Sequence, residues 1–124
     1  MIKQIHHVQL AMPRGRENDA EAFYSGVLGL KRISKPAHLE VRGGCWFSVD
    51  EGLQFHLGVE DPFSPARKAH PAFLVEDLKV VRDALEASGY DIVLDTQLQG
   101  FERFYTFDPF GNRLELVCPV PPTL

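Results

Sequence analysis

Ile5-His6-His7-Val8-Gln9-Leu10 and Ala69-His70-Pro71-Ala72-Phe73-Leu74-Val75 are two short strand-like runs, with His7 and His70 standing 63 positions apart. Each is followed by a helical stretch that stops at a glycine and then by further strand signals. The first half closes on Leu53-Gln54-Phe55-His56-Leu57-Gly58-Val59, the second on Asn112-Arg113-Leu114-Glu115-Leu116-Val117. The offset from His7 to His56 is 49 residues and that from His70 to Glu115 is 45. The chain therefore states one pattern twice. A repeat whose units each bring an opening His and a closing His or Glu can place four ligands around a single centre.

Working outward from these runs, residues 3–11 alternate as a strand until Met12-Pro13-Arg14-Gly15-Arg16 breaks them. A helix is expected from Asn18 or Asp19, either of which can cap it, through Ala22, Phe23, Tyr24 and Val27 to Gly29. Strands are expected near 31–34, over 39–49 with a kink at Gly43-Gly44, and over 53–59, the last two joined by Asp50-Glu51-Gly52. The second half repeats the order. A strand at 70–75 leads to a helix at 77–88, capped by Asp77 and stopped by Gly89, then to strands near 91–95, 102–108 and 112–118. Asp108-Pro109-Phe110-Gly111-Asn112 reads as the hairpin between the last two. Each half is β-α-β-β-β: one α+β domain over 1–124, with module one at 1–60, a Pro-containing linker at 60–69 and module two at 70–118.

Composition narrows the function classes. A length of 124 residues suits one domain with a real core, and 44% hydrophobic content with nine Phe is ordinary for a globular chain. A net charge of −4 without a clustered basic run argues against nucleic acid as a partner. No apolar run nears the roughly 18 residues of a membrane span, and the N-terminus has no signal-peptide core. Cys45 and Cys118 lack CxxC spacing and read as reduced, packed thiols, so a cytoplasmic protein is expected.

Strand parity sorts the faces. His7 lies with Ile5, Gln9 and Ala11, whereas His6 lies with Val8 and Leu10 toward the helix. His56 shares a face with Gln54 and Gly58, opposite Phe55, Leu57 and Val59. Glu115 shares one with Arg113 and Val117, opposite Leu114 and Leu116, and His70 lies opposite Phe73 and Val75. The apolar face of each strand wants a helix, so the face carrying the ligand-type residues is left for a cavity.

These features resemble the vicinal-oxygen-chelate superfamily, which includes glyoxalase I, fosfomycin-resistance thiol transferases, extradiol dioxygenases, methylmalonyl-CoA epimerases and bleomycin-resistance proteins. The carriers are His7-Val8-Gln9-Leu10, Ala22-Phe23-Tyr24 leading to Leu28-Gly29-Leu30, His70, and Asp108-Pro109-Phe110-Gly111-Asn112-Arg113-Leu114-Glu115-Leu116. The likeness covers about residues 4–118 and implies two β-α-β-β-β modules in an open, incomplete barrel around a divalent metal. His7, His70 and Glu115 match the three ligand positions of the metal-dependent members. His56 falls where glyoxalase I supplies a Glu, and where the dioxygenases and thiol transferases supply no ligand. Three imidazoles and one carboxylate leave about +1 on a divalent centre, which favours an anionic oxygen pair. Zn, Ni, Mn and Fe(II) all tolerate such a donor set.

Each candidate has a plainer alternative. His7 and His70 are metal ligands or hydrogen-bonded structural histidines, and Glu115 is ligand and catalytic base or a strand carboxylate paired with Arg113 or Arg103. His56 is the fourth ligand or a supporting imidazole. Arg67 and Lys68 precede His70 and either steer an anionic substrate or are solvated loop charges. Arg103 and Tyr105 share a strand face and are candidates for the pocket lining. Cys45-Trp46-Phe47 supplies one apolar wall residue, with Trp46 the candidate and the register deciding.

A glyoxalase-like lyase or isomerase acting on a small, oxygen-chelating, anionic substrate is the leading expectation. An extradiol-type dioxygenase is the alternative, because His7, His70 and Glu115 alone form a two-His-one-carboxylate triad. A metal-free protein that sequesters a drug or metabolite, as in the bleomycin-resistance proteins, is the third. A homodimer is expected, with the site built within one chain or exchanged between two; Pro62 and Pro65 favour an extended linker. The opposing arrangement is a monomer whose strand edges are covered by the tail from Pro119 to Leu124.

Overall fold

The computed structural model describes residues 1–121, the Glu51 side chain excepted; the last three residues of the expected covering tail lie outside it. Module one contains β1 (His7–Met12), α1 (Glu17–Tyr24), β2 (Lys31–Ile33), a short helix α2 (Ala37–Glu40), β3 (Cys45–Ser48) and β4 (Gln54–Val59). Module two contains β5 (Ala72–Leu74), α3 (Leu78–Ala87), β6 (Phe101–Phe107) and β7 (Arg113–Pro119). The sheets run β1-β4-β3-β2 and β5-β7-β6, and neither closes into a barrel. In each module the opening strand lies parallel to the closing one, His7 beside Gln54 and Ala72 beside Glu115. The expected α+β architecture is the one formed.

Three local expectations are corrected. The strand placed over 39–49 exists only at 45–48. Upstream, Leu39, Arg42 and Gly43 donate their N–H groups to the carbonyls of Pro36, Leu39 and Glu40, which winds α2 and a turn. Gly43 and Gly44 then take φ of +74° and +82°, outside any strand. The strand expected near 91–95 is a single bridge between Val93 and Tyr105. Side chains take over the ladder positions there: Arg103 Nε and Nη2 donate to the Thr96 carbonyl, and Gln97 Oε1 accepts from Arg103 N. Helix α1 begins at Glu17 without a side-chain cap, because Asp19 is held instead by Arg16 at 2.8 Å. Asp77 does cap α3, accepting from Lys79 N and Val80 N.

One apolar core joins both modules. Phe23 and Tyr24 of α1, Phe47 of β3, Phe55 and Leu57 of β4, Leu85 of α3, and Leu114 and Leu116 of β7 are all buried in it. Val8, Leu10, Phe73 and Val75 pack against its margin, and the Phe55 and Phe73 rings meet edge to face at 5.3 Å. Each buried Phe or Leu contributes roughly 1.5–3 kcal/mol. Such a core fixes strand register, since a one-residue slip would turn every apolar side chain outward. Among the described residues no helix is long and apolar enough to cross a membrane.

Candidate metal centre

The register that buries Phe55 and Leu57 turns His56 to the opposite face of β4, the face it shares with His7 of β1. The two imidazoles stack with centroids 4.3 Å apart and planes 19° from parallel. Trp46, paired with His56 across β3 and β4, stacks on its other side at 4.0 Å and 1°. His56 is thus held between two rings, and its Nε2 lies 2.8 Å from Gln54 Oε1. Burial first, then the charges of His7, His6 and Lys35, push its pKa down to about 4. A neutral imidazole with its lone pair available is what a metal requires. Of the two aromatic residues after Cys45, Trp46 lies on the His56 face, while Phe47 is buried in the core.

The second pair is built by β7 and the segment before β5. His70 Nε2 lies 2.8 Å from Glu115 Oε1, and its Nδ1 lies 3.0 Å from the Lys68 carbonyl. Both ring nitrogens therefore face oxygen acceptors. A neutral ring donating from Nδ1 leaves an Nε2 lone pair against a carboxylate oxygen, a contact that a cation between them, metal or second proton, makes favourable. A backbone carbonyl on the far nitrogen is also the usual way a metal-ligating His is oriented. The donor chemistry of this pair fits a divalent ion. Glu115 is 5% exposed, and its Oε2 lies 3.5 Å from Arg103 Nη1.

The remaining candidates fall around this second pair. Tyr105 meets the His70 ring edge to face at 5.3 Å. Arg67 and Tyr105 line a concavity of about 370 Å³ together with Arg113, whose guanidinium sits 3.9 Å over the Tyr105 ring. Lys68 is exposed and contributes its carbonyl to His70. Arg113 and Gln54 were not singled out in the sequence as site residues. Parity marked them, for each lies two positions from a candidate ligand on the same face. His6 departs from its expected place, because β1 starts at His7. His6 is exposed, with its Nδ1 3.0 Å from His7 Nδ1.

The structure brings His7 to His56 and His70 to Glu115. It does not bring all four together: among the described residues, no group of three or more His, Cys, Asp or Glu side chains is placed to hold a metal. Both pairs lie on sheet faces that point away from the core the modules share.

The paired β-α-β modules and the two ligand-type pairs agree with a comparison in which residues 4–116 match the model of the Glyoxalase/Bleomycin resistance protein/Dioxygenase superfamily. The chain belongs to that superfamily. Among solved structures, this superfamily member is similar to a glyoxalase family protein from Bacillus anthracis, with 42% identity and a TM-score of 0.91 over 97% of this chain and 98% of that one. It is also similar in fold to a variant of the genomically encoded fosfomycin resistance protein FosX from Listeria monocytogenes, complexed with Mn(II) and 1S,2S-dihydroxypropylphosphonic acid. There the identity is 18% and the TM-score 0.79, over 98% and 95% of the two chains. TnmS3, an antibiotic binding protein from Streptomyces, has the same fold at 17% identity and a TM-score of 0.74, over 96% and 98%. No curated protein matches the superfamily member.

Proposed function

We propose that this protein is a metal-dependent enzyme of the glyoxalase-like lyase or isomerase type, acting on a small anionic substrate that chelates the metal through two oxygens. His7 and His56 of one chain and His70 and Glu115 of a second hold one divalent ion. The observation that carries the reading is the His70–Glu115 pair, with Nε2 2.8 Å from the carboxylate and the far ring nitrogen already directed at a carbonyl. A bound divalent ion supplies Lewis acidity toward a developing enolate or oxyanion. Glu115 accepts and returns the proton, with Arg103 near its second oxygen to keep the carboxylate oriented. His70, held by the Lys68 carbonyl, keeps the geometry fixed while the proton moves. Trp46 excludes water from the His56 side.

The sharing of the site between chains is supported by the outward orientation of both pairs. A second copy facing the first sets one chain's β1–β4 face against the other's β5–β7 face. Such an assembly is a two-fold dimer with two equivalent sites.

The experiment is metal analysis of protein purified without a metal-affinity tag, beside the double variant His7→Ala/His70→Ala. About one divalent ion per chain, lost in the variant, is expected. Equal metal content in both proteins excludes the assignment. A metal-free sequestering protein is the second reading, favoured by Gln54 and Arg103 already partnering His56 and Glu115. Metal-free protein that binds organic ligands as tightly as loaded protein would establish it.

A further inference from the structure

Beside the His7–His56 pair, on the same face of the first sheet, lies a cavity of about 280 Å³ lined by Gln9, Trp46, Gly58, Lys35 and Arg42. Trp46 separates it from His56, stacking on the imidazole while lining the cavity. Gly58 is the next residue after His56 on the same face of β4, about 7 Å along the strand. Its missing side chain lets the Gln9 amide lie across the strand, since a Cβ there would meet Gln9 Nε2 at 2.5 Å. The Gly43-Gly44 turn brings the cations in. A Cβ on Gly44 would meet the Leu57 carbonyl at 2.2 Å, so only glycine lets this segment press onto β4. Lys35 Nζ donates to the Gly43 carbonyl, which fixes the ammonium at the rim with further N–H donors remaining.

The charge of the cavity is one-sided. No Asp or Glu lines it. Of the nearby carboxylates, Glu17 accepts from Gly44 N and Glu21 pairs with Arg32, while Glu40 lines the adjoining concavity on the other side of Lys35. Among the described residues, neither Lys35 nor Arg42 forms a salt bridge. Two cations and a side-chain amide around a concavity with an aromatic wall suit one planar anion, with the Arg42 fork able to take both oxygens of a carboxylate.

We propose that Lys35, Arg42 and Gln9 form a carboxylate subsite beside the metal pair. The substrate is then a compound with an oxygen-chelating end and a terminal carboxylate, with the two-residue step along β4, about 7 Å, setting the scale of their separation. This inference rests on the reading of His7 and His56 as metal ligands for the chelating end. Gln9, Lys35 and Arg42 touch no reacting atom and act as binding residues.

The test uses metal-loaded full-length protein and two hydroxamates, one neutral and one carrying a carboxylate about three or four methylenes from the chelating group. Calorimetry should find the carboxylate compound at least about tenfold tighter on the wild type. In Lys35→Met/Arg42→Gln the two compounds should bind alike, with metal content and affinity for the neutral hydroxamate unchanged. Equal affinities on the wild type overturn the subsite. If the double variant does not fold, Arg42→Gln alone serves, because Arg42 is exposed. If neither hydroxamate binds, the metal reading has failed and the subsite is judged separately. Glutarate is titrated into metal-free protein and followed by the emission of Trp46, the single tryptophan. A saturable change that Arg42→Gln abolishes supports the subsite, and a flat titration overturns it.

Discussion

The Tyr24 phenol donates a 2.7 Å hydrogen bond to Asp108 Oδ2 across 84 residues of sequence, inside the core that joins the modules. Asp108 also accepts from the N–H groups of Phe110 and Asn112 and from Asn112 Nδ2. Asn112 passes the connection on, donating to the Ala11 carbonyl at 2.8 Å and accepting from Ala66 N at 2.9 Å. Two of the most recognisable segments, the Tyr of α1 and the Asp-Pro-Phe-Gly-Asn hairpin, thus act structurally. They tie β1, α1 and the 60–69 segment to β7, whose next face-sharing residues are Arg113 and Glu115.

Tyr24→Phe removes one donor from a buried carboxylate and leaves its shape almost unchanged. A loss of about 1–3 kcal/mol is expected in denaturant unfolding, with metal content per folded protein preserved. Burial and the Asp108 charge already push the Tyr24 hydroxyl well above its ordinary pKa, so the phenol stays protonated and the bond persists through neutral pH. An unchanged unfolding midpoint would show that Asp108 is satisfied without it.

Faces were easier to read than placements. Alternation in Phe55-His56-Leu57 and Leu114-Glu115-Leu116 decides which residues turn outward, because burial of one set leaves the other no choice. Helix α2 was missed because Leu39, Val41 and the glycines after them mimic a kinked strand; local carbonyls and two positive-φ glycines prevailed. The pairing of the candidate ligands within modules, with no fourfold cluster among the described residues, was not legible. It depends on how the shared core orients two sheets, which no local pattern encodes.

His56 gives a pH signature in metal-free protein. Its folded pKa of about 4 lies below the ordinary 6.5, so between these values the unfolded chain binds a proton that the folded one refuses. Stability is therefore undiminished by this group above pH 6.5 and falls as pH drops toward 4, by roughly 3 kcal/mol at most. Denaturant unfolding of chelator-treated protein at pH 7.5 and 4.5 should show the drop, and His56→Gln should flatten it. A slope that survives the substitution must come from other groups.

Glu115→Gln should remove turnover more completely than any change at His56. It deletes the only carboxylate among the four candidate ligands, weakening the metal and removing the proton acceptor together; general-base loss alone is worth about 10²–10⁴ in rate. His56→Glu should retain metal while weakening anionic ligands, because the centre loses its net positive charge. Near-normal turnover in Glu115→Gln on an authentic substrate rules out proton transfer by this residue.

Mixing His7→Ala chains with Glu115→Ala chains separates a site shared between subunits from one built within a chain. In an exchanged dimer, each site takes His7 and His56 from one chain and His70 and Glu115 from the other. The heterodimer then collects both lesions in one site and leaves the second intact. Random reassociation of equal amounts should restore about a quarter of wild-type metal binding and activity, since half the dimers are mixed and half their sites are whole. The outward orientation of the His7–His56 and His70–Glu115 pairs makes this the expected result. Chains that demonstrably co-assemble yet recover nothing would mean that each chain must bring its own two pairs together.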